Sequence, residues 1–335
     1  MTDHTDTMMA VRLETATGNL SVTERPVPHA GRDQVRLRVE YAGVCHSDLH
    51  FVDGELAARM PREVTLGHEI AGVIDEIGDG VTGHTIGERV LVHPVGFVDG
   101  ETSIPGVQYD GGWATYVVVP AERVLPVGPD LPFDQAAIIP DAVATPWAAI
   151  TDAGRVRPAE AAAVWGLGGL GYHAVKLLRL VGATPVIAVD PAPAARARAL
   201  RAGADLALDP TAEDFADRLA SAGPIDVAFD FVGNGRVQQQ AFDAIEARGR
   251  VVLVGIPQGP LVIEDSARLI RLQKSVIGSY GSERHHTEEL VRLAAAGRLD
   301  LSESITEVLP LDQAETALDH LRNQVGNPIR IVLRP

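Results

Sequence analysis

The sequence predicts an α/β protein of two domains, a β-rich domain and a doubly wound parallel sheet. Three observations carry this. At 335 residues the chain is too long for one ordinary core. Its first third alternates apolar and polar residues, with Gly and Pro between the runs, as half-buried strands do. Later, short apolar runs alternate with helix-spaced segments at the rhythm of βαβ units.

The elements follow in order. "MTDHTDTMMA" (1–10) is polar, lacks the basic-then-apolar layout of a signal peptide and reads as a frayed tail. "VRLRVEYAGV" (35–44), "IAGVIDEIG" (70–78), "ERVLVHP" (88–94) and "GGWATYVVVPAERV" (111–124) make up the β-rich section. "AAAVW" (161–165) is a buried strand, and "YHAVKLLRLVGA" (172–183) has helical spacing. Strand "PVIAVD" (185–190) precedes a helix at 191–204; strands at 226–233 and 250–257 flank a helix at 236–249. "SVIGSYG" (275–281) is one more strand. After a helix near 311–325, strand-like "PIRIVLRP" (328–335) has the option of returning to the first domain. The expected division is residues 8–145, completed by 282–335, and 146–281.

Composition excludes several function classes. No run of about 18 apolar residues exists, so no membrane span is expected. The net charge of −16 repels nucleic-acid phosphates. Cys45 is the only cysteine, which rules out an intrachain disulfide and any metal site built from several thiolates of this chain. A reducing cytoplasm is the expected compartment.

Gly166, Gly168 and Gly171 form G-x-G-x-x-G between a strand and a helix, with Gly169 and Leu170 inside the turn. The first glycine permits the tight turn, the second lets backbone approach a pyrophosphate, and the third lets helix pack on strand. The helix N-terminus offers unpaired N–H groups to the anion. Asp190 ends the next strand, where a carboxylate bonds the adenosine ribose hydroxyls and repels a 2′-phosphate. This favours NAD(H), with NADP(H) as the alternative. In "DPAPAA" the same Asp also has the look of a helix N-cap before Pro at N1.

"GVCHSDLH" (43–50) and "LGHEIAG" (66–72) concentrate metal-ligating and acid–base groups, and "IIPDAVATPW" (139–147) adds Asp141. A catalytic zinc takes three protein ligands and keeps one position open. Cys45, His68 and one carboxylate meet that need, and Asp48 with the remaining carboxylate would orient the histidine or tune the metal. Taken singly, a buried cysteine is usually a small hydrophobe. The joint occurrence with a dinucleotide turn reverses that reading.

Together "GVCHSDLH", "LGHEIAG", "GERVLV", "DGGWATYVVVP", "PDAVATPW", "VWGLGGLGYHAVKL" and "PIRIVL" resemble the zinc-dependent medium-chain alcohol dehydrogenases, from about residue 10 to the C-terminus. The resemblance implies a GroES-like catalytic domain beside a Rossmann domain. It implies Cys45 and His68 as zinc ligands, and Asp141 where most members carry a ligating cysteine. Glu69 is implied as an alternative ligand or a neighbour of the metal, and Asp48 as the carboxylate orienting His68. Ser47 and His50 are the implied proton path. His46, Arg330, Thr145 and Gly255 are implied cofactor contacts beside the glycine turn. A basic residue usually follows the ribose acid by five positions; here Ala195 stands there, with Arg196 beside it, and an inward Arg196 would weaken the NAD preference.

The family's structural-zinc lobe usually carries four cysteines, and the corresponding stretch 95–112 has none, so a single catalytic zinc is expected. That lobe often contributes to subunit contacts; a homodimer or homotetramer is expected all the same. The implied activity is hydride transfer between NAD(H) and an alcohol, aldehyde or ketone. Reduction of an activated C=C bond is the alternative, for which the missing lobe and Pro94 leave room. A cofactor-binding protein without turnover is the third.

Overall fold

Strand Gln34–Val44 is the spine of the first half of the molecule. In the computed structural model, which describes residues 7–55, 57–98, 100–256, 259–263 and 265–335, its side chains at Val35, Leu37 and Val39 are buried in alternation. It pairs antiparallel with Ile70–Ile77, Tyr116–Pro120 and Arg330–Arg334. The register slips twice against Ile70–Ile77, between Arg36 and Leu37 and between Val39 and Tyr41. Arg89–Val92 and Val124–Pro126 extend the sheet on one side. Ile305–Pro310 extends it on the other, parallel to Arg330–Arg334. The C-terminal strand thus returns to the sheet that the first third builds. Helix Ala314–Arg322 buries Ala314, Ala317, Leu318 and Leu321, one helical face, against this core.

Contacts divide the chain into two compact units: residues through Asp141 together with Glu283–Pro335, and Ala142–Ser282. In the second unit six parallel strands lie in the order Leu206–Leu208, Val186–Val189, Ala162–Trp165, Ile225–Asp230, Ile245–Leu253, Ser275–Gly278. Chain order reverses at Ala162–Trp165, the switch point at which doubly wound sheets bind ligands. Ala162–Trp165 and Val186–Val189 are buried throughout, as the unbroken apolar runs require.

Two expectations are corrected, and one feature was not foreseen. The frayed tail over 1–10 holds for none of the described part: Thr7–Glu14 is a strand paired with Asn19–Pro26, burying Ala10, Val11 and Leu13. Residues 1–6 of that tail lie outside the described residues. The helix expected at 236–249 stops at Ala244, and Ile245 already pairs with Ile225. Arg248, at φ 65°, sits in the left-handed region that a continuing helix does not use. Helix expectations also missed the turns of π-helix at Ile139–Val143 and Ala149–Ala153, within a helical run from Phe133.

Candidate functional site

Cys45 is where strand becomes helix. It ends the Gln34–Val44 run in extended conformation (φ −110°, ψ 157°) and caps helix His46–Val52. Asp48 Oδ2 accepts the Cys45 backbone N–H at 2.8 Å, closing the first turn. The other oxygen of Asp48 lies 3.5 Å from His68 Nδ1. One buried carboxylate therefore fixes the thiol's backbone and faces the histidine ring.

His68 arrives from the segment between strands Glu63–Thr65 and Ile70–Ile77. Gly67 makes this possible: its φ is +97°, and a Cβ there would lie 2.3 Å from Trp113 Cδ1. Gly43 is equally specific, since a Cβ there would sit 1.9 Å from Glu69 Oε2. Asp141 belongs to the π-helical turn Ile139–Val143, a local widening that recurs at functional sites.

Cys45, His68, Glu69 and Asp141 offer donor atoms that all lie within 4.8 Å of one another. Asp141 Oδ2 is 3.3 Å from Cys45 Sγ and 3.7 Å from His68 Nε2. A tetrahedral zinc with ordinary bond lengths sets its S, N and O ligands about 3.3–3.6 Å apart, so these three residues fit such an ion. Glu69 is differently engaged. Its Oε1 lies 3.3 Å from Arg330, and neither of its oxygens meets a hydrogen-bond donor of proper geometry.

The electrostatics explain why these charges coexist. Burial opposes a charged His68, but Asp48, Asp141 and Cys45 outweigh it and raise its pKa well above the usual histidine value. Burial likewise opposes the Asp141 carboxylate, yet His68 and Arg330 hold it well below the ordinary range. Glu69 goes the other way: burial and the Asp141 charge push its pKa up, against the pull of Arg330 and His68. One carboxylate stays charged and the other tends to keep a proton. Arg330, expected at cofactor phosphates, is 2% exposed, donates to Val44 O at 3.5 Å, and lies 3.8 Å from Asp141.

The rest of "GVCHSDLH" surrounds this cluster. Ser47 Oγ is 3.7 Å from Cys45 Sγ. His50, half-buried, turns Nδ1 to Glu55 Oε2 at 2.8 Å. His46 is exposed, yet desolvation by the protein around it, then Arg330 and His50, lower its pKa to about 4. Without an anion beside it, His46 is a neutral donor rather than a cation.

In the second unit the glycine turn is assembled as its spacing demands. Gly166 has φ +84°. A Cβ on Gly171 would fall 1.7 Å from Gly166 O, whereas one on Gly168 would meet nothing within 4 Å. The close-packed glycine and the open glycine are thus the third and the second of the motif. Helix Gly169–Val181 begins three residues before the expected 172, so Gly169 and Leu170 are its first-turn residues. Asp190 accepts from Leu167 N and Ala192 N, each at 2.8 Å, tying the ribose-side loop to the glycine turn. The cap of the following helix is Ala192 with Pro193 next, not Asp190. Arg196 is turned to the Asp190 and Pro191 carbonyls and to Asp209 at 3.1 Å. Arg198 reaches Leu167 O at 3.4 Å and feels the Asp190 charge. Gly255 backs onto Gly233, where a Cβ would lie 2.4 Å from the Gly233 nitrogen. Thr145 is buried in helix Ala144–Ala148.

The structure brings Cys45, His68, Glu69 and Asp141 together, with Asp48 beside His68. Sequence reasoning missed Glu55, Arg198 and the contact between Glu69 and Arg330. The His50–Glu55 contact forms beyond the helix end at Asp53, so no helical spacing signals it.

Known proteins match over the whole chain. The family model for the alcohol dehydrogenase GroES-like domain covers residues 31–129, and that for zinc-binding dehydrogenase covers 169–296. An alcohol dehydrogenase of Geobacillus stearothermophilus is 31% identical over 98% of this chain and 99% of its own. An NAD-dependent alcohol dehydrogenase of Saccharolobus solfataricus is 32% identical over 94% and 97%. A solved zinc-binding dehydrogenase from Sinorhizobium meliloti, bound to NADP and called putative by its authors, superposes at TM-score 0.91 with 28% identity, covering 98% of this chain and 99% of that one. Among the described residues, no helix is long and apolar enough to cross a membrane.

Proposed function

The chain belongs to the zinc-dependent medium-chain alcohol dehydrogenases, and from that premise we propose that Cys45, His68 and Asp141 hold its catalytic zinc while Ser47 and His50 carry the proton. Its reaction is hydride transfer between a nicotinamide cofactor and an alcohol or carbonyl substrate. The observation that carries the ligand assignment is the spacing of Asp141 Oδ2, 3.3 Å from Cys45 Sγ and 3.7 Å from His68 Nε2.

When bound, zinc supplies Lewis-acid polarisation of the substrate oxygen, and the nicotinamide takes or gives the hydride. The chain's own groups do the rest. Asp48 faces His68 Nδ1 at 3.5 Å, and its charge favours that ring orientation, which leaves Nε2 for coordination. Arg330 occupies Glu69, so Glu69 stays beside the metal rather than on it. Ser47 Oγ, next to Cys45, would take the alcohol proton as it gives its own up, and the cofactor ribose and His50 would pass that proton toward solvent. In the reverse direction the same path returns a proton to the carbonyl oxygen.

Asp190 favours NAD(H). Its carboxylate is held by two backbone N–H groups, and Arg196 is engaged with Asp209 instead of standing free for a 2′-phosphate. Comparable or tighter binding of NADPH in a titration would reject this. A single zinc per chain is supported by the cysteine-free lobe, whose Ser103 carbonyl and Tyr109 hydroxyl are instead gathered by buried Arg123 at 2.5 and 3.2 Å. The lone thiol and acidic surface suit a reducing cytoplasm. The test of the function is NAD-linked turnover on a panel of alcohols, aldehydes and enones, before and after chelation. Alcohol oxidation that chelation abolishes supports the reading; undiminished activity in metal-free protein refutes it.

A further inference from the structure

We propose that Glu55 is a positioning residue of the proton path: it holds His50 as the tautomer whose Nε2 is the free acceptor. The inference rests on the assignment of His50 to that path. Glu55 Oε2 lies 2.8 Å from His50 Nδ1. A neutral imidazole has one N–H donor and one acceptor nitrogen, and a carboxylate only accepts. A carboxylate this close favours the hydrogen on Nδ1, and Nε2 then keeps the lone pair that an incoming proton needs. Without Glu55 the ring is free to populate the other tautomer, whose Nε2–H blocks the same step.

The backbone makes this contact a built one. Helix His46–Val52 ends at Asp53, and Gly54 reverses the chain at φ +81°. The Glu55 backbone N–H then donates to the His50 carbonyl at 3.0 Å. Glu55 is thus tied to His50 through the main chain, with its carboxylate set beside the ring. The helix end is itself fixed from outside, because Arg322 of helix Ala314–Arg322 grips Asp53 with two bonds of 2.8 and 2.7 Å. That ion pair holds the Asp53 carboxyl below its usual range, through the Arg322 hydrogen bond first. The charged and titratable groups around His50 are accordingly Glu55 and Asp53 after it, His46 one turn before it, and Arg322 from the packed helix.

His50 is 28% exposed and Glu55 55% exposed by side chain. Exposed pairs of this kind add little to folding stability. The consequence belongs in the rate and its pH dependence, not in the melting temperature.

The test uses the zinc-loaded enzyme oxidising an alcohol between pH 6 and 9, with Glu55→Ala, Glu55→Gln, His50→Gln and the double variant His50→Gln/Glu55→Ala. Glu55→Ala is expected to lower kcat about three- to tenfold below pH 7, a fraction of what acid–base groups contribute, with KM and melting temperature unchanged. Glu55→Gln, whose amide oxygen still accepts from Nδ1, should stay within about twofold of the parent. In the His50→Gln background, Glu55→Ala should add nothing. The proposal is overturned if Glu55→Ala matches the parent below pH 7 while His50→Gln shifts the profile. It is also overturned if Glu55→Ala costs as much with Gln at position 50 as with His. A profile that His50→Gln leaves unmoved removes the proton path itself, and Glu55's role with it.

Discussion

The two candidate sites, one in each unit, are built from different material. The glycine turn of the second unit is a backbone site: what matters at Gly166, Gly168 and Gly171 is the absence of side chains. The metal cluster of the first unit is a side-chain site, with Cys45, His68, Glu69, Asp141 and Arg330 drawn from distant parts of the chain. The first is a place where a helix start could offer its backbone N–H groups to an anion. The second suits a cation by gathering thiol, imidazole and carboxylate donors and dividing the work between the two acids, with Asp141 charged and Glu69 inclined to hold its proton. A site made of absences tolerates little added bulk. A site made of charges tolerates little lost charge.

Variants can break or sharpen this contrast. The largest effect is expected from Cys45→Ala or His68→Ala, which should abolish zinc binding and cost at least about a thousandfold in kcat, the several kcal/mol a Lewis acid supplies; metal content and turnover measure both. Next comes the comparison of Asp141→Asn with Glu69→Gln. Asp141→Asn should lose most bound zinc, while Glu69→Gln should keep it and lower affinity by about tenfold, the lower end for groups around a metal site. If Glu69→Gln is the variant that comes out metal-free, the ligand is Glu69.

On the backbone side, Gly171→Ala should destabilise the fold by about 1–3 kcal/mol, because its Cβ meets the Gly166 carbonyl. Gly168→Ala should leave the melting temperature nearly unchanged, since its Cβ meets nothing, and yet raise the cofactor KM by about tenfold (one hydrogen-bond-sized loss). Equal thermal shifts in both variants would argue against separate roles for the two glycines. The smallest effect is expected at Asp190→Asn: a shift of about tenfold or less in the NADH-to-NADPH preference, read from the ratio of the two KM values.

The same contrast decides what the sequence makes legible. Local spacing reveals a backbone site, and the glycine turn stands where G-x-G-x-x-G implies. Strands with clear alternation, such as Gln34–Val44, are equally plain. Tertiary events are not. The break after Ala244 depends on Ile245 finding Ile225 in the sheet. The strand at Thr7–Glu14 depends on a partner at Asn19–Pro26 that a polar start conceals. Cys45, His68 and Asp141 are visible one by one, and the family resemblance joins them. What no pattern disclosed is their bookkeeping of charge: that Asp48 closes the helix turn beside Cys45 as well as facing His68, and that Arg330 engages Glu69.

The central claim is the ligand set, and anomalous scattering from zinc-loaded crystals tests it most directly, with data above and below the zinc absorption edge. The expected result is one peak per chain, at bonding distance from Cys45 Sγ, His68 Nε2 and Asp141 Oδ2, with Glu69 still on Arg330. A peak bonded to Glu69 in place of Asp141, or an active enzyme with no peak at this cluster, would contradict it.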